Sequence, residues 1–299
     1  MTTQSRERVS LRQPRAPVRR LVDATRGFFV KKPLGALGLM IILVMALMAA
    51  LAPIAATHSP SRMDFLAQLS GPSTTHWLGT DDFGRDLWSR LLYGARISLW
   101  VGFASVAIGS VSGAFFGLVS AYYGGKMDQV IQRIMDALMA IPTLILALTI
   151  IAGLGQSMTN VIIAIAVPQI PRANRIVRSQ ALSAKQTEYT MAARAIGATD
   201  VRIMGIHILP QCIAPWLIIA TAGLGGAIIS ESSLAFLGMG VPAPAPTWGG
   251  MLSGRAREYF HIAPWLAIWP GLAISLVVYG FNLFGDAIRD VLDPRLRGT

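Results

Sequence analysis

A single cysteine, Cys212, stands among the 299 residues, which excludes an intrachain disulfide and any cysteine-based zinc site. Charge is also scarce: Asp, Glu, Lys and Arg make up 14% of the chain, where ordinary soluble domains carry about 25%. Acidic residues are the scarcer sign, 15 against 26 Lys plus Arg, for a net charge of +11. In a soluble protein that excess suggests nucleic acid. Here the cations fall between long uncharged apolar runs instead of lining a polar face, so a membrane accounts for them and nucleic acid is not an expected partner. A phosphate loop is absent too. Gly125 and Lys126 are followed by Met127, and Ser stands at position 120, so G-x-x-x-x-G-K-[ST] fails at both ends. No Ser, His, Asp set or zinc-binding His pair has workable spacing. The chain is not expected to be an enzyme.

What is present is apolar: 53% of the residues are hydrophobic. A hydrocarbon core of about 30 Å takes about 20 such residues per helix, and six runs qualify. They are Leu34 to Ala56, Ile97 to Tyr123, Ile134 to Leu154, Thr159 to Ile170, Ile213 to Met239 and Ala263 to Phe284. Pro168, Pro171 and Arg172 interrupt or follow the fourth. Lys31 and Lys32 before the first run, with Ala52, Ala55 and Ala56 near its end, imitate a signal peptide. The run exceeds the usual ~7–15 residues of a signal core and five more follow, so it reads as a retained helix. The fold class is all-α, a polytopic membrane protein with six transmembrane helices.

Lys and Arg set the orientation. Nine lie before Leu34, Lys126 and Arg133 follow the second run, six fall between Arg172 and Pro210, and three sit at the C-terminal end. Opposite them stand Arg62, Arg85, Arg90, Arg96, Arg255 and Arg257. The positive-inside rule places both termini and the central segment in the cytoplasm. The first 32 residues are basic, contain Pro14 and Pro17 and lack a hydrophobic period. They read as a tail that is disordered or rests on anionic lipid.

The central segment is polar yet patterned. Glu188, Tyr189, Thr190, Met191, Ala192, Ala193, Arg194, Ala195 and Ile196 favour helix, and Gly197 can end it in a left-handed conformation. Thr199 or Asp200 can cap a second helix through Val201, Ile203 and Ile206, before Leu209 and Pro210. Such a hairpin suits a groove on another protein, with Ala192 and Ala193 allowing close approach and Met191 and Ile196 filling a pocket. It suits an amphipathic loop lying on lipid equally well.

Resemblance separates the two. Ala192, Ala193, Gly197, Leu209 and Pro210 resemble the cytoplasmic loop through which ABC importer permeases contact their ATPases. Met191 stands where that family usually has Glu, and His207 where it has an aliphatic. Leu78 to Asp86 with Ser89 to Arg96, Ser233 to Gly240 with Trp248 and Gly249, and Phe281 to Asp286 with Arg289, Asp290, Leu292, Asp293 and Pro294 are similar to segments of the dipeptide, oligopeptide and nickel permeases. They match the second permease of such systems, the one with an N-terminal extension.

The resemblance implies a type I ABC importer permease fold. It divides the chain into a tail (1–32), a first helix with an extracytoplasmic loop (33–94), a transmembrane domain (95–290) holding the coupling hairpin (185–210), and a C-terminal end (291–299). It implies Glu188, Met191, Ala192, Ala193, Ile196, Gly197, Leu209 and Pro210 as ATPase-coupling residues. The implied partners are a homologous permease in a heterodimer, two ATPases, an extracytoplasmic solute-binding protein and membrane lipid, in a bacterial inner membrane. ATP and Mg would sit on the ATPases, with no cofactor on this chain. Peptides are the expected cargo, and relatives carry nickel, glutathione or sugars.

Two ionisable groups lie at membrane depth, Asp136 and Glu231, where a charge is costly unless it meets a cavity or a partner. Arg133 is one turn from Asp136 and can pair with it, so Asp136 reads equally as a structural ion pair near the cytoplasmic face or as a residue of the translocation path or interface. Glu231 has no local partner, so it is expected on the translocation path or a subunit interface. Recruited as ion sites, the two would suit a secondary transporter, the main rival; a membrane-embedded enzyme lacks a catalytic set. His76 with Asp81, Asp82 and Asp86 hints at metal, but Thr80 and the Asp residues around Gly84 more simply make a turn and a helix cap. Gly109, Gly113 and Gly117 form a small-residue face for close helix packing.

Overall fold

The structure, a computed structural model, describes residues 32–253 and 258–292. Residues 1–31 of the tail, Arg255, Arg257, Asp293 and Pro294 lie outside the described residues. Within them helices build the fold, with a single isolated bridge between Thr80 and Asp86 and no strand.

Helix α1 (Pro33–Ala55) begins with proline, whose fixed φ suits a first helical position. Its inward side is small, with Gly35, Ala36, Gly38, Ala49 and Ala52 buried, while Leu34, Leu43, Leu47 and Ile54 are exposed outward. That division fits a helix facing protein on one side and lipid on the other. A Cβ on Gly38 would lie 2.6 Å from the Gly280 carbonyl oxygen, so α1 meets the last helix backbone to backbone.

Helix α2 (Leu87–Tyr123) is 37 residues long, about 55 Å at 1.5 Å per residue, and therefore overshoots a ~30 Å hydrocarbon core. It starts ten residues before the apolar run, because the charges there are consumed locally. Arg90 donates to the Pro60 carbonyl at 3.0 Å and lies 3.5 Å from the Asp81 carboxylate. The small-residue face packs as expected. Added Cβ atoms at Gly109 and Gly117 would meet the carbonyls of Ala166 and Asn174 at 2.5 and 2.6 Å.

The third run is not one straight helix. It divides into α3 (Gly125–Ala140) and α4 (Thr143–Leu154), bent by 96°. Pro142 explains the break, since it disfavours helical backbone at Ile141, whose φ −97 and ψ 127 are extended. The fourth run also differs. Helix α5 (Met158–Ala166) passes through a 3₁₀ turn (Val167–Gln169) into α6 (Ile170–Lys185), so helix continues well beyond the expected end at Ile170. The tight turn absorbs Pro168, and Pro171 falls in the first turn of α6, where its missing N–H has no intrahelical bond to lose.

Helix α7 (Glu188–Ala195) and helix α8 (Asp200–Arg202) follow. The second arm of the hairpin does not stop before Leu209: a π-helical turn (Ile203–Ile208) joins α8 to α9 (Leu209–Phe236) in one run. A wider turn accommodates Pro210, which would otherwise clash with the carbonyl one turn back. Helices α10 (Trp248–Leu252) and α11 (Trp265–Leu292) complete the described chain. Among the described residues, four helical runs are long and apolar enough to cross a membrane, five if the bent α3–α4 pair is one span. The α5–α6 segment is the remaining one, with Val161, Ala164 and Ile165 buried against α2 and α9.

Candidate functional sites at the two ends of helix α2

The α7–α8 hairpin sits at the Tyr123 end of α2. Gly197 has φ +84, the left-handed conformation the turn requires, and no atom crowds the position where its side chain would be. The hairpin's outer face is apolar: Ile196 is 85% exposed and Val201 75%, with Met191 and Tyr189 also exposed. Glu188, Ala192, Leu209 and Pro210 are exposed as well. Ala193 differs, because it is buried within the hairpin and cannot offer its methyl to a partner. Of the two alanines, Ala192 alone belongs to the outer face.

Side chains distant in sequence fix the hairpin to α2. The Tyr122 hydroxyl donates to Asp200 Oδ1 at 2.5 Å and accepts from Arg194 at 3.3 Å. Lys185 Nζ donates to the Tyr122 carbonyl at 2.5 Å. Between the arms, the Tyr189 hydroxyl donates to the His207 carbonyl at 2.9 Å. Thr199 makes no side-chain cap, and Asp200 spends its carboxylate on Tyr122. None of these anchors was foreseen, because Tyr122 lies 78 residues from Asp200 and no local pattern links them.

Asp136 and Glu231 are not brought together. Asp136 is about half exposed, and its partner is Arg175 on α6 at 2.8 Å, not the adjacent Arg133. One turn away Arg178 grips Asp128 with two bonds of 2.7 and 2.6 Å. Two ion pairs thus join α3 to α6. Glu231 is fully buried inside the chain. Its Oε2 accepts from Ser98 at 3.2 Å, and the same Ser98 hydroxyl accepts from the Trp248 backbone N–H. Trp248 is itself fully buried, donating its indole N–H to the Leu91 carbonyl at 3.0 Å. The carboxyl therefore occupies a joint between α2, α9 and α10. A cleft of about 210 Å³ opens elsewhere, bordered by Ser110, Thr143, Gln169, Arg172, Gly223 and Ser230, and neither Asp136 nor Glu231 lines it.

At the opposite end of α2 the acidic segment forms a turn and a cap. Asp81 Oδ1 accepts from the N–H groups of Phe83 and Arg85, both at 2.9 Å, and Gly84 takes φ +68. Asp86 caps α2 by accepting from Ser89 N–H at 2.9 Å. Burial pushes the Asp86 carboxyl up, but hydrogen bonds from Ser89, His76 and Thr57 outweigh it and hold the group below the ordinary carboxylate range.

Lipid-suited helices around a small cleft, with a braced apolar hairpin at one end, define a multi-pass membrane protein. Comparison makes this particular. Residues 113–298 match the family described as "Binding-protein-dependent transport system inner membrane component", and residues 23–72 match the "N-terminal TM domain of oligopeptide transport permease C". The chain is 45% identical over 267 residues to the dipeptide transport system permease protein DppC of Alkalihalophilus pseudofirmus, covering 89% of this chain and 88% of that one. It is 46% identical over 227 residues to the glutathione transport system permease protein GsiD of Pectobacterium atrosepticum, covering 76% and 75%. A structure of the MetNI methionine ABC transporter shares the fold, with a TM-score of 0.56 at 21% identity over 69% of this chain and 97% of that one. The chain belongs to the binding-protein-dependent inner-membrane component family and is a permease subunit of an ABC importer.

Proposed function

We propose that this permease forms half of a translocation path for peptides or a closely related solute, pairing with a second, homologous permease, two ATPases and an extracytoplasmic binding protein. ATP and Mg belong to the ATPases in this reading, and both termini with the α7–α8 hairpin face the cytoplasm, in keeping with the Lys and Arg distribution. The observation that carries it is the hairpin: an apolar outer face, with Ile196 85% exposed, on a loop bolted to the long α2 helix. Exposed apolar side chains on a braced helical hairpin favour a protein groove. Nucleotide-driven closure of the ATPases would move the hairpin, and α2 with α9 would follow as rigid bodies about the path. The peptide cargo is supported by relatives named for dipeptide and glutathione transport.

Uptake into vesicles holding the whole system tests this reading. ATP should drive uptake without an ion gradient, and only with the binding protein present. Uptake driven by an ion gradient in the absence of ATP would overturn it in favour of a secondary transporter.

A further inference from the structure

We propose that His58, His76 and Asp86 form a binding site for a divalent transition-metal ion of the zinc class, at the joint between the end of α1 and the start of α2. The three residues each offer a ligand atom, and those atoms lie within 4.8 Å of one another. His76 Nδ1 is 2.9 Å and His58 Nδ1 is 3.9 Å from the same oxygen, Asp86 Oδ1. Ligands at ~2.0–2.1 Å from a tetrahedral zinc stand about 3.3 Å apart, between those two values. Side-chain rotations that draw His58 Nδ1 off its 3.0 Å contact with Thr57 Oγ1 and bring the three ligand atoms, now within 4.8 Å of one another, to that spacing would complete the ligand set. The imidazole rings already lie side by side, with centroids 4.8 Å apart.

The supporting shell is in place. Asp86 Oδ2 accepts from Ser89 N–H at 2.9 Å, Ser89 Oγ at 2.7 Å and Thr57 Oγ1 at 3.1 Å, so one oxygen is held by fixed donors while Oδ1 is turned toward the two histidines. The His58 backbone N–H donates to the same Ser89 hydroxyl at 3.0 Å, which fixes the loop carrying the second imidazole. Outer-shell bonds of this kind orient first ligands and sustain metal affinity. The Asp86 side chain is nearly sealed at 1% exposure, His76 is at 14% and His58 at 31%, so the site has a closed floor and an open rim where water can supply the fourth ligand. Two imidazoles and one carboxylate suit zinc and its neighbours, not magnesium or calcium. The ion is a clamp between the loop leaving α1 and the cap of α2, and the inference departs from the expectation that this chain binds no metal. Its placement outside the cell rests on the orientation proposed above; the ligand geometry does not.

The test uses the assembled transporter, purified without a polyhistidine tag and stripped with a chelator. Zn²⁺ is titrated against a chromophoric chelator, and Co²⁺ is added separately to read visible d–d absorption. The expected result is one equivalent per copy of this chain, with affinity lowered at least ~10-fold in His58→Ala and His76→Ala and unchanged in His207→Ala. The His58→Ala variant keeps the His76–Asp86 bond and the helix cap, so it assembles and carries the test alone if His76→Ala does not. Absence of stoichiometric binding by the parent, or parental affinity in His58→Ala, would overturn the site. Neither result depends on transport, so failure here is separate from failure of the transport reading.

Discussion

Tyr122, one residue from the end of α2, donates its hydroxyl to the carboxylate of Asp200, the first residue of the hairpin's second arm, at 2.5 Å. The bond makes the hairpin an extension of a helix that runs across the protein to the Asp86 cap. The hairpin is thereby tied to α2, the contact on which the proposed coupling depends.

Removing that hydroxyl should loosen the coupling. In Tyr122→Phe the ring and the Lys185 contact to the Tyr122 carbonyl remain, while Asp200 and Arg194 both lose a partner. Loss of a partly exposed bond to a charged group costs on the order of 1 kcal/mol. The complex should assemble normally, and stimulation of ATPase activity by loaded binding protein should fall. Stimulation equal to the parent would show that the bond carries no coupling.

The two alanines of α7 should respond differently to the same substitution. Ala192 is exposed, so Ala192→Trp leaves the hairpin folded and obstructs docking. Ala193 is buried at 6% exposure, so Ala193→Trp overpacks the hairpin itself. Limited proteolysis of the assembled complex distinguishes them: cleavage in residues 185–210 should rise in Ala193→Trp and stay near parental in Ala192→Trp.

Glu231 lies in a joint within the subunit, with its carboxyl against Ser98. Glu231→Gln keeps the shape and a hydrogen-bonding group, and should leave uptake near the parental rate. Glu231→Ala opens a void beside the Ser98 and Trp248 bonds and should destabilise the complex by about 1–3 kcal/mol. Thermal unfolding of the assembled transporter reads the second effect. A large loss of uptake in Glu231→Gln with unchanged thermal stability would return Glu231 to the path or an interface.

Local features were legible in the sequence. The turn at Gly197, the cap at Asp86, the glycine face of α2 and the first membrane helix each follow from residues close together in the chain, and the structure contains all four. Distant pairings were not. Arg175 as the partner of Asp136, Tyr122 as the anchor of Asp200 and His58 beside Asp86 depend on how helices pack, and a residue pattern cannot express that. Proline misled in both directions. Pro142 broke a run that looked continuous, whereas Pro168, Pro171 and Pro210 sit at junctions through which helix continues. The outcome depends on whether the neighbouring backbone has room for a 3₁₀ or π turn.

Gly197→Val tests the central claim most directly. The position has φ +84 with open space around it, so valine is disfavoured by backbone conformation alone, at a cost on the order of 1 kcal/mol or more. The variant should insert and assemble with its partner permease, because the strain lies outside the membrane helices. In proteoliposomes, solute uptake and ATPase activity are measured together, with and without loaded binding protein, alongside the ATPase stoichiometry. The account predicts that uptake falls while the ATPases either detach or hydrolyse ATP without responding to the binding protein. Normal uptake, with stoichiometric ATPases still responding to the binding protein, would contradict it.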